Sequence, residues 1–326
     1  MLVRDQDGPM IDPYDVELTR TSDLTRAGLT SRQVQKLIDD GTFVRVRRGI
    51  FAQGKGWSEL RAEGRMVVVA RAWQMSAGIE PVFSHITAAA LHGLPLFRTG
   101  PHRVHTVIPE PRKGSAPGVI RHRGATDVGL TTVRGLVVTD VARTIADTAR
   151  AFSAETSVIV ADAALRAVST DHEYPGVELL RARAREVAAS LPRGSARSQR
   201  VIEFADPRAQ LPGESVSRLY LVRLGFAVPR LQVMVVGPNG RRFFVDFGLA
   251  DVNAFGEFDG DAKYTDAAYL GGRTTQQALL DEKWREDWIR GTTQWRFGRW
   301  GSAHLGSHLV LGTRLAQFGI VPRSHR

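Results

Sequence analysis

Residues 21–51 read TSDLTRAGLTSRQVQKLIDDGTFVRVRRGIF, and this stretch determines how the first part of the chain is interpreted. It predicts a short helix that ends at Gly28 and a second helix that is capped by Thr30 and ends at Gly41. The alternation of apolar and polar residues over 43–51 then predicts a two-stranded ribbon. Two helices, a tight turn between them and a hairpin are therefore expected.

The second predicted helix has one apolar and one polar face. Its apolar residues recur at i, i+3 and i+4, namely Val34, Leu37 and Ile38. Its polar face consists of Ser31, Arg32, Gln35 and Lys36. These side-chain types reach phosphates and base edges in DNA.

The predicted ribbon turns at Arg48 and Gly49 and carries Arg45, Arg47 and Arg48 within four positions. A helix, a turn, a second helix and a basic hairpin follow one another in a winged helix-turn-helix, whose second helix enters the major groove. The three arginines would then contact the DNA backbone or the minor groove. The alternative is a helical hairpin with an edge strand that contacts protein alone.

Composition agrees with an anionic partner. The chain has 44 Lys and Arg against 34 Asp and Glu, a net charge of +10, and such an excess favours nucleic acid. The absence of cysteine excludes a disulfide scaffold, a thiolate zinc site and a cysteine nucleophile. Apolar runs are far shorter than the roughly 20 residues that a membrane-spanning helix needs. A cytoplasmic protein without a membrane partner is expected.

The whole chain is interpreted as a multi-domain α/β protein. The expected parts are a winged helix-turn-helix over 1–55, a mixed α/β middle domain over 56–192, a linker over 193–209 and a restriction-endonuclease-like α/β domain over 210–326. In the middle domain His85 and His92 lie seven residues apart. Two histidines without a third ligand nearby are interpreted as ordinary polar residues.

The last third of the chain carries an unusual carboxylate. Strands are expected over 232–236 and 241–249, with Asn239 and Gly240 as the hairpin turn between them. Asp246 then lies in an apolar strand, where an unpaired carboxylate costs several kcal/mol. A further turn over 251–253 would place Asp246 opposite Glu257, with Asp259 on the same face.

Three converging acids repel one another, and a divalent cation with oxygen ligands is the usual remedy. Glu214 at the start of a helix supplies a fourth carboxylate, and Lys263 a cation near phosphate or an attacking water. Such a centre around Mg²⁺, or Mn²⁺, suits phosphodiester hydrolysis. The alternative is a salt-bridge network in which Arg241, Arg242 or Lys263 neutralises the acids without catalysis.

Residues from about 15 to 170 resemble the AbiEi-type antitoxins of type IV toxin–antitoxin systems. The resemblance rests on 21–51, on SHITAAALHGLP at 84–95 and on VTDVARTIAD at 138–147. It implies a winged-helix DNA-binding domain, transcriptional autorepression and a cognate toxin as partner. The parts that contact DNA in that family correspond here to Ser31, Arg32, Gln35, Lys36, Arg45, Arg47 and Arg48.

Residues from about 210 to 300 resemble the PD-(D/E)xK nucleases, especially small Vsr-like members. Glu214, Asp246 and Glu257 match the first three motif positions, whereas Asp259 stands where the family has a lysine. Lys263 or Lys283 could take that role. Three hypotheses result: a DNA-binding regulator of the antitoxin type, a Mg²⁺-dependent DNA endonuclease delivered by its winged helix, and an antitoxin whose basic face neutralises an acidic toxin.

Overall fold

The computed structural model describes residues 11–98, 100, 103–110, 117–169, 175–260 and 274–323. Within these ranges the chain forms twelve α-helices and three β-sheets, so it is a mixed α/β protein. It divides into two compact units, the first ending at Ala205 and the second beginning at Asp206. Lys263, one of the predicted site residues, lies outside the described residues.

The first unit begins with a small three-stranded sheet and two helices. The strands pair in the order β1-β3-β2 and comprise β1 (Leu18–Arg20), β2 (Phe43–Arg47) and β3 (Ile50–Gln53). The helices are α1 (Thr21–Arg26) and α2 (Ser31–Asp39). Leu24, Val34 and Phe51 form a buried cluster that holds α1, α2 and β3 together. The helices and the hairpin lie where the sequence predicted them.

The rest of the first unit is a mixed five-stranded sheet with helices. The helices are α3 (Gly54–Glu59), α4 (Ala62–Ser76), α5 (His85–Leu91), α6 (Val141–Ala151), α7 (Ala154–Ala167), α8 (Pro175–Ser190) and α9 (Ser195–Phe204). The strands, in the order β6-β5-β4-β8-β7, are β4 (Val82–Phe83), β5 (Val104–Ile108), β6 (Val119–Arg123), β7 (Leu130–Val133) and β8 (Leu136–Thr139). Apolar side chains of these elements form one large buried core.

The first compact unit spans several of the parts expected from the sequence. Residues 11–55 share a unit with the middle region, and Arg71 of α4 donates hydrogen bonds to the carbonyl oxygens of Pro13 and Val16 at 2.6 and 2.8 Å. The range 193–209, which was expected to be a linker, contains α9. Its Ser198 donates to the Ala146 carbonyl oxygen of α6 at 2.9 Å, and its Ile202 is 2% exposed. The segment was predicted to be a linker because exposed arginines surround its few buried residues, which makes its composition similar to that of a linker.

The second unit is built on one four-stranded sheet in the order β12-β11-β10-β9. Its strands are β9 (Arg230–Val236), β10 (Arg242–Leu249), β11 (Ala254–Asp259) and β12 (Arg296–Gly301). Its helices are α10 (Pro212–Arg223), α11 (Thr275–Thr293) and α12 (His308–Ala316). The first three strands pair antiparallel, whereas β12 lies parallel to β11.

The turns of this sheet follow the sequence expectation. Asn239 and Gly240 adopt φ angles of 53° and 75° between β9 and β10, as a tight hairpin requires. A short 3₁₀ turn, Ala250–Val252, joins β10 to β11. Phe247 pairs with Gly256 at the end of this ladder, and Asp246 and Glu257 are the next residues of the two strands. Among the helices in the described ranges, none has the length and apolar character needed to cross a bilayer.

Candidate functional site

The predicted polar face of α2 is exposed. Ser31, Arg32, Gln35 and Lys36 all lie at the surface, while Val34 on the opposite side is buried. The first turn is held by Thr30, whose hydroxyl accepts a hydrogen bond from the Gln33 backbone N–H. Leu37 and Ile38 of the apolar stripe are half-buried, so the helix turns this stripe toward the protein and its polar residues outward.

The β2–β3 hairpin also presents two arginines to solvent. Arg45 of β2 and Arg48 at the turn are exposed. Gly49 completes the turn with a φ of 76°, a conformation that favours glycine, and its carbonyl oxygen accepts from the Thr21 backbone N–H at 2.9 Å. The hairpin tip is thereby tied to the start of α1.

Arg47 has a different environment from the one expected of a DNA contact. Its guanidinium lies 4.0 Å from the centre of the Trp73 ring on α4, and its Nε donates to the Ser76 hydroxyl at 2.7 Å. Partial burial lowers the pKa of Arg47. Alternation along the strand placed Arg47 beside Arg45, but a register irregularity between Arg45 and Arg47 turns this side chain toward α4. Arg47 joins the hairpin to α4.

The second unit links two of its predicted carboxylates, Glu214 and Asp246, through one amide. Gln232 Nε2 lies 3.3 Å from Asp246 Oδ1 and 3.4 Å from Glu214 Oε2, so this amide links the two acids. The other oxygen of Asp246 accepts from the Phe258 backbone N–H at 2.9 Å. Glu214 is 3% exposed and also accepts from the Gln210 backbone N–H. Gln232 itself adopts a φ of 51°, which is unusual for a residue with a side chain.

Glu257 is held by two arginines that the sequence interpretation did not identify. It is 3% exposed, and its Oε1 accepts from Arg285 Nη2 at 2.6 Å while Oε2 lies 2.9 Å from Arg299 Nη2. Burial raises the pKa of Glu257, and Arg285 and Arg299 oppose that rise. Arg285 also donates to the Phe244 carbonyl oxygen, which fixes it over β10.

Arg299 is the central cation of this network. Its guanidinium lies within 4.0 Å of four carboxylates, those of Glu257, Asp259, Glu282 and Glu286. Although burial lowers the pKa of Arg299, Glu257 and Glu282 outweigh that effect and raise it above its ordinary value. The guanidinium is therefore charged at any pH at which the protein is folded.

These surroundings do not fit the Mg²⁺ that the nuclease resemblance implies. Both oxygens of Glu257 face guanidinium groups, and both oxygens of Asp246 face hydrogen-bond donors. Within the part of the chain that is described, no three His, Asp or Glu side chains are arranged to hold a metal ion.

The surroundings of these acids are closer to the expected salt-bridge network than to a metal centre. The arginines that face Glu257 are not the ones that the sequence suggested. Arg241 and Arg242 are exposed, and Arg241 lies over the Phe243 ring at 5.9 Å. Within the described residues, Glu257 is paired with Arg285 and Arg299 instead of Arg241 or Arg242. Arg299 faces Glu257 because β12 pairs parallel to β11. No tight turn joins these two strands, so the local sequence does not predict their register.

The chain is similar in sequence to two mycobacterial proteins. Both are named as uncharacterized proteins of Mycobacterium tuberculosis, Rv2248 from strain ATCC 25618 / H37Rv and MT2308 from strain CDC 1551 / Oshkosh. Each is 27% identical over 254 residues, which cover 78% of this chain and 87% of the relative. No family model matches the chain. These names state no activity.

The first unit also contains a cluster of three histidines that the sequence interpretation did not identify. His85 was interpreted as an ordinary polar residue, and its ring stacks on that of His122, with 3.6 Å between ring centres. His105 Nδ1 lies 2.9 Å from His122 Nε2. These residues come from α5, β5 and β6, which neighbour one another through the parallel pairing of β5 and β6. Spacing along the chain could not show this grouping.

We expect this cluster to make stability depend on pH. Burial is the main cause that lowers the pKa of His85 and brings those of His105 and His122 to about 4. Neighbouring histidines also lower the pKa of His85 and His105, and Arg150 lowers that of His85 and His122. Each folded pKa lies below the unfolded value, so the unfolded chain binds more protons below about pH 6.5. The contribution of these histidines to stability is constant above that pH and falls toward pH 4, by up to about 1.4 kcal/mol per pH unit for each histidine.

Urea unfolding at pH 7 and pH 5 measures this dependence. The double variant His105→Gln/His122→Gln should lose most of the difference between the two pH values. Burial raises the pKa of Asp147, a shift of the opposite sign, so the comparison with the double variant isolates the histidine contribution. An equal pH dependence in both proteins would contradict the assignment to these histidines.

Proposed function

We propose that this protein is a DNA-binding regulator whose first unit contacts DNA through α2 and the tip of the β2–β3 hairpin. One observation carries the proposal: the four polar residues of α2 are exposed together, opposite the side that packs on α1 and β3. A helix that exposes hydroxyl, amide and cationic groups along one face has the donors needed for base edges and phosphates.

The element order supports a winged-helix interpretation of this region. A strand, two helices and a hairpin follow one another, and the hairpin carries exposed Arg45 and Arg48. In that architecture the second helix enters the major groove and the hairpin contacts the backbone or minor groove. The net charge of +10 adds a general attraction to nucleic acid.

The resemblance to AbiEi-type antitoxins suggests the biological setting. On that basis we propose transcriptional autorepression in the cytoplasm and a cognate toxin as a second partner. The second unit is proposed to have a restriction-endonuclease-like fold, on the order helix, antiparallel strands, helix and parallel strand. The Mg²⁺-dependent endonuclease is the less favoured hypothesis, because Arg285 and Arg299 occupy the oxygens that the metal would need.

Binding is tested with a labelled duplex taken from the DNA upstream of the protein's own gene. Fluorescence anisotropy should show binding whose logarithmic affinity falls linearly with the logarithm of salt concentration. An unrelated duplex of equal length measures the non-specific component. Absence of any binding at low salt would contradict the proposal.

Two arginines of the hairpin should behave differently in this assay. Arg48→Ala is expected to lower affinity several-fold and to reduce the salt slope by about 0.9, because an exposed guanidinium would lose one phosphate contact. Arg47→Ala should leave the salt slope nearly unchanged and lower the unfolding temperature, because that side chain packs on Trp73.

Arg183→Ala is the matched control, since Arg183 is an exposed arginine of α8 paired with Glu186. Its salt slope should equal that of the wild type. A loss of slope in Arg47→Ala as large as that in Arg48→Ala would show that Arg47 leaves Trp73 to contact DNA, contrary to the assignment made here.

A further inference from the structure

The exposed face of α2 carries a glutamine whose amide is oriented by a neighbouring carboxylate. Gln35 Nε2 donates to Asp39 Oδ1 at 2.8 Å, and both residues are exposed, one helical turn apart. On the basis of the DNA binding proposed for α2, we infer that Gln35 reads an adenine in the major groove. Asp39 is then the positioning residue that fixes the Gln35 amide for this contact.

The carboxylate determines which end of the Gln35 amide faces it. A carboxylate accepts hydrogen bonds and donates none, so the atom 2.8 Å from Asp39 Oδ1 is the amide nitrogen and not the amide oxygen. That nitrogen has two N–H groups, and Asp39 takes one of them. One N–H and the amide oxygen Oε1 of Gln35 therefore remain for a ligand.

This remaining donor and acceptor match one base edge of DNA. Adenine presents the N7 acceptor and the N6 amino donor side by side in the major groove, and a glutamine amide contacts both at once. Guanine presents two acceptors there, N7 and O6. Because Asp39 holds one N–H, Gln35 has a single donor for guanine, and its amide oxygen would face a second oxygen. The oriented amide therefore favours adenine.

The neighbours of Gln35 on α2 divide into two kinds. Ser31 and Asp39 lie one turn before and one turn after Gln35 in the same exposed row. Arg32 and Lys36 form the adjacent exposed row and carry the positive charges that suit phosphates. A carboxylate repels phosphate, so Asp39 contributes nothing to a contact with the DNA backbone. Its hydrogen bond to Gln35 is compatible with a contact to a base edge.

A second glutamine of α2 provides a matched control. Gln33 is exposed like Gln35, but its Oε1 accepts from the Thr30 backbone N–H at 2.8 Å and from the Thr30 hydroxyl at 2.9 Å. The Gln33 amide is thus used to cap the helix. Gln33→Ala should lower the unfolding temperature and leave the base preference unchanged.

The experiment measures base preference on the full chain with a library of randomised DNA duplexes. Sequencing of the bound duplexes gives the preferred sequence of the wild type and of each variant. The wild type should select adenine at one position, and Gln35→Ala should lose that preference, roughly tenfold or more in relative affinity. Preferences at the other positions should remain, because Arg32 and Lys36 are unchanged.

A modified base tests the contact at a single atom. 7-Deazaadenine lacks the N7 acceptor and keeps the N6 amino group. At the selected position it should weaken binding of the wild type several-fold and should weaken binding of Gln35→Ala no further. Equal weakening of both proteins would overturn the inference, because another residue would then contact N7.

Asp39 is tested by the ratio of affinities for adenine and guanine at the selected position. Asp39→Ala leaves both N–H groups of Gln35 available to N7 and O6 of guanine, so the ratio should fall at least about threefold. Asp39→Asn keeps an acceptor oxygen and should retain more of the ratio than Asp39→Ala. A merely structural role would change the unfolding temperature and leave this ratio unaltered, which would overturn the positioning role of Asp39.

Two further results would overturn the inference and leave the proposed function intact. One is duplex binding without an adenine preference, or with a preference that Gln35→Ala retains. The other is a cytosine preference that Asp39→Ala removes, because Asp39 would then accept from the base itself. Absence of binding to every duplex at low salt contradicts the proposed function, and the inference with it.

Discussion

Replacing Arg32 and Lys36 together with alanine should weaken binding to the specific duplex roughly 100-fold at about 0.1 M salt. Both side chains are exposed on α2, one turn apart on the face opposite Val34. A lost base contact costs about 1–3 kcal/mol, and a lost phosphate contact lowers the salt slope by about 0.9. The double variant removes two such contacts from the proposed recognition helix.

The fold should survive this change, which makes the result interpretable. Alanine is a good helix former, and the buried contacts of α2 come from its apolar stripe. Circular dichroism and the unfolding temperature check that expectation. Anisotropy with specific and unrelated duplexes then separates lost sequence readout from lost phosphate contacts. Unchanged affinity would show that DNA, if bound, is contacted by another surface.

Gly213→Ala should destabilise the second unit by at least about 3 kcal/mol, the upper part of the range for overpacked cores. A Cβ at this position would lie 2.1 Å from two ring atoms of Phe258. Phe258 is 5% exposed in β11, so its ring has little room to move. Helix α10 must therefore shift away from the sheet, and Glu214, the next residue, would move with it away from Gln232.

Urea unfolding of the full chain, followed by tryptophan fluorescence, measures this loss. Gly291→Ala in α11 is the matched control, since a Cβ there has no neighbour within 4 Å. That substitution should stabilise the helix by about 0.5–1 kcal/mol, because alanine restricts the unfolded chain more than glycine does. Equal midpoints for Gly213→Ala and the wild type would contradict the packing of α10 on Phe258.

The carboxylate network shows which site features local sequence can predict. The turn after β10 and the alternation along β11 were enough to place Asp246 near Glu257, and the register of β10 with β11 agrees. A short connection restricts two antiparallel strands to a few registers, so local rules suffice there. The Asn239–Gly240 hairpin was predictable for the same reason.

The partners of these acids were not predictable in this way. Arg285 lies 28 residues beyond Glu257 in the chain, and Arg299 reaches Glu257 through the parallel pairing of β11 and β12. A parallel pair needs a long connection, and its register depends on how the intervening helix packs. The sequence alone therefore left a metal centre and a salt-bridge network as equal alternatives.

In the first unit, the sequence by itself determined the two helices, the hairpin and the polar face of α2, because helical and strand periodicities act over a few residues. Tertiary structure alone decided that Arg47 packs on Trp73, that residues 195–204 form a packed helix, and that His85, His105 and His122 meet. It likewise decided that arginines neutralise Glu257. These outcomes depend on contacts between residues far apart in the chain, which local periodicity does not encode.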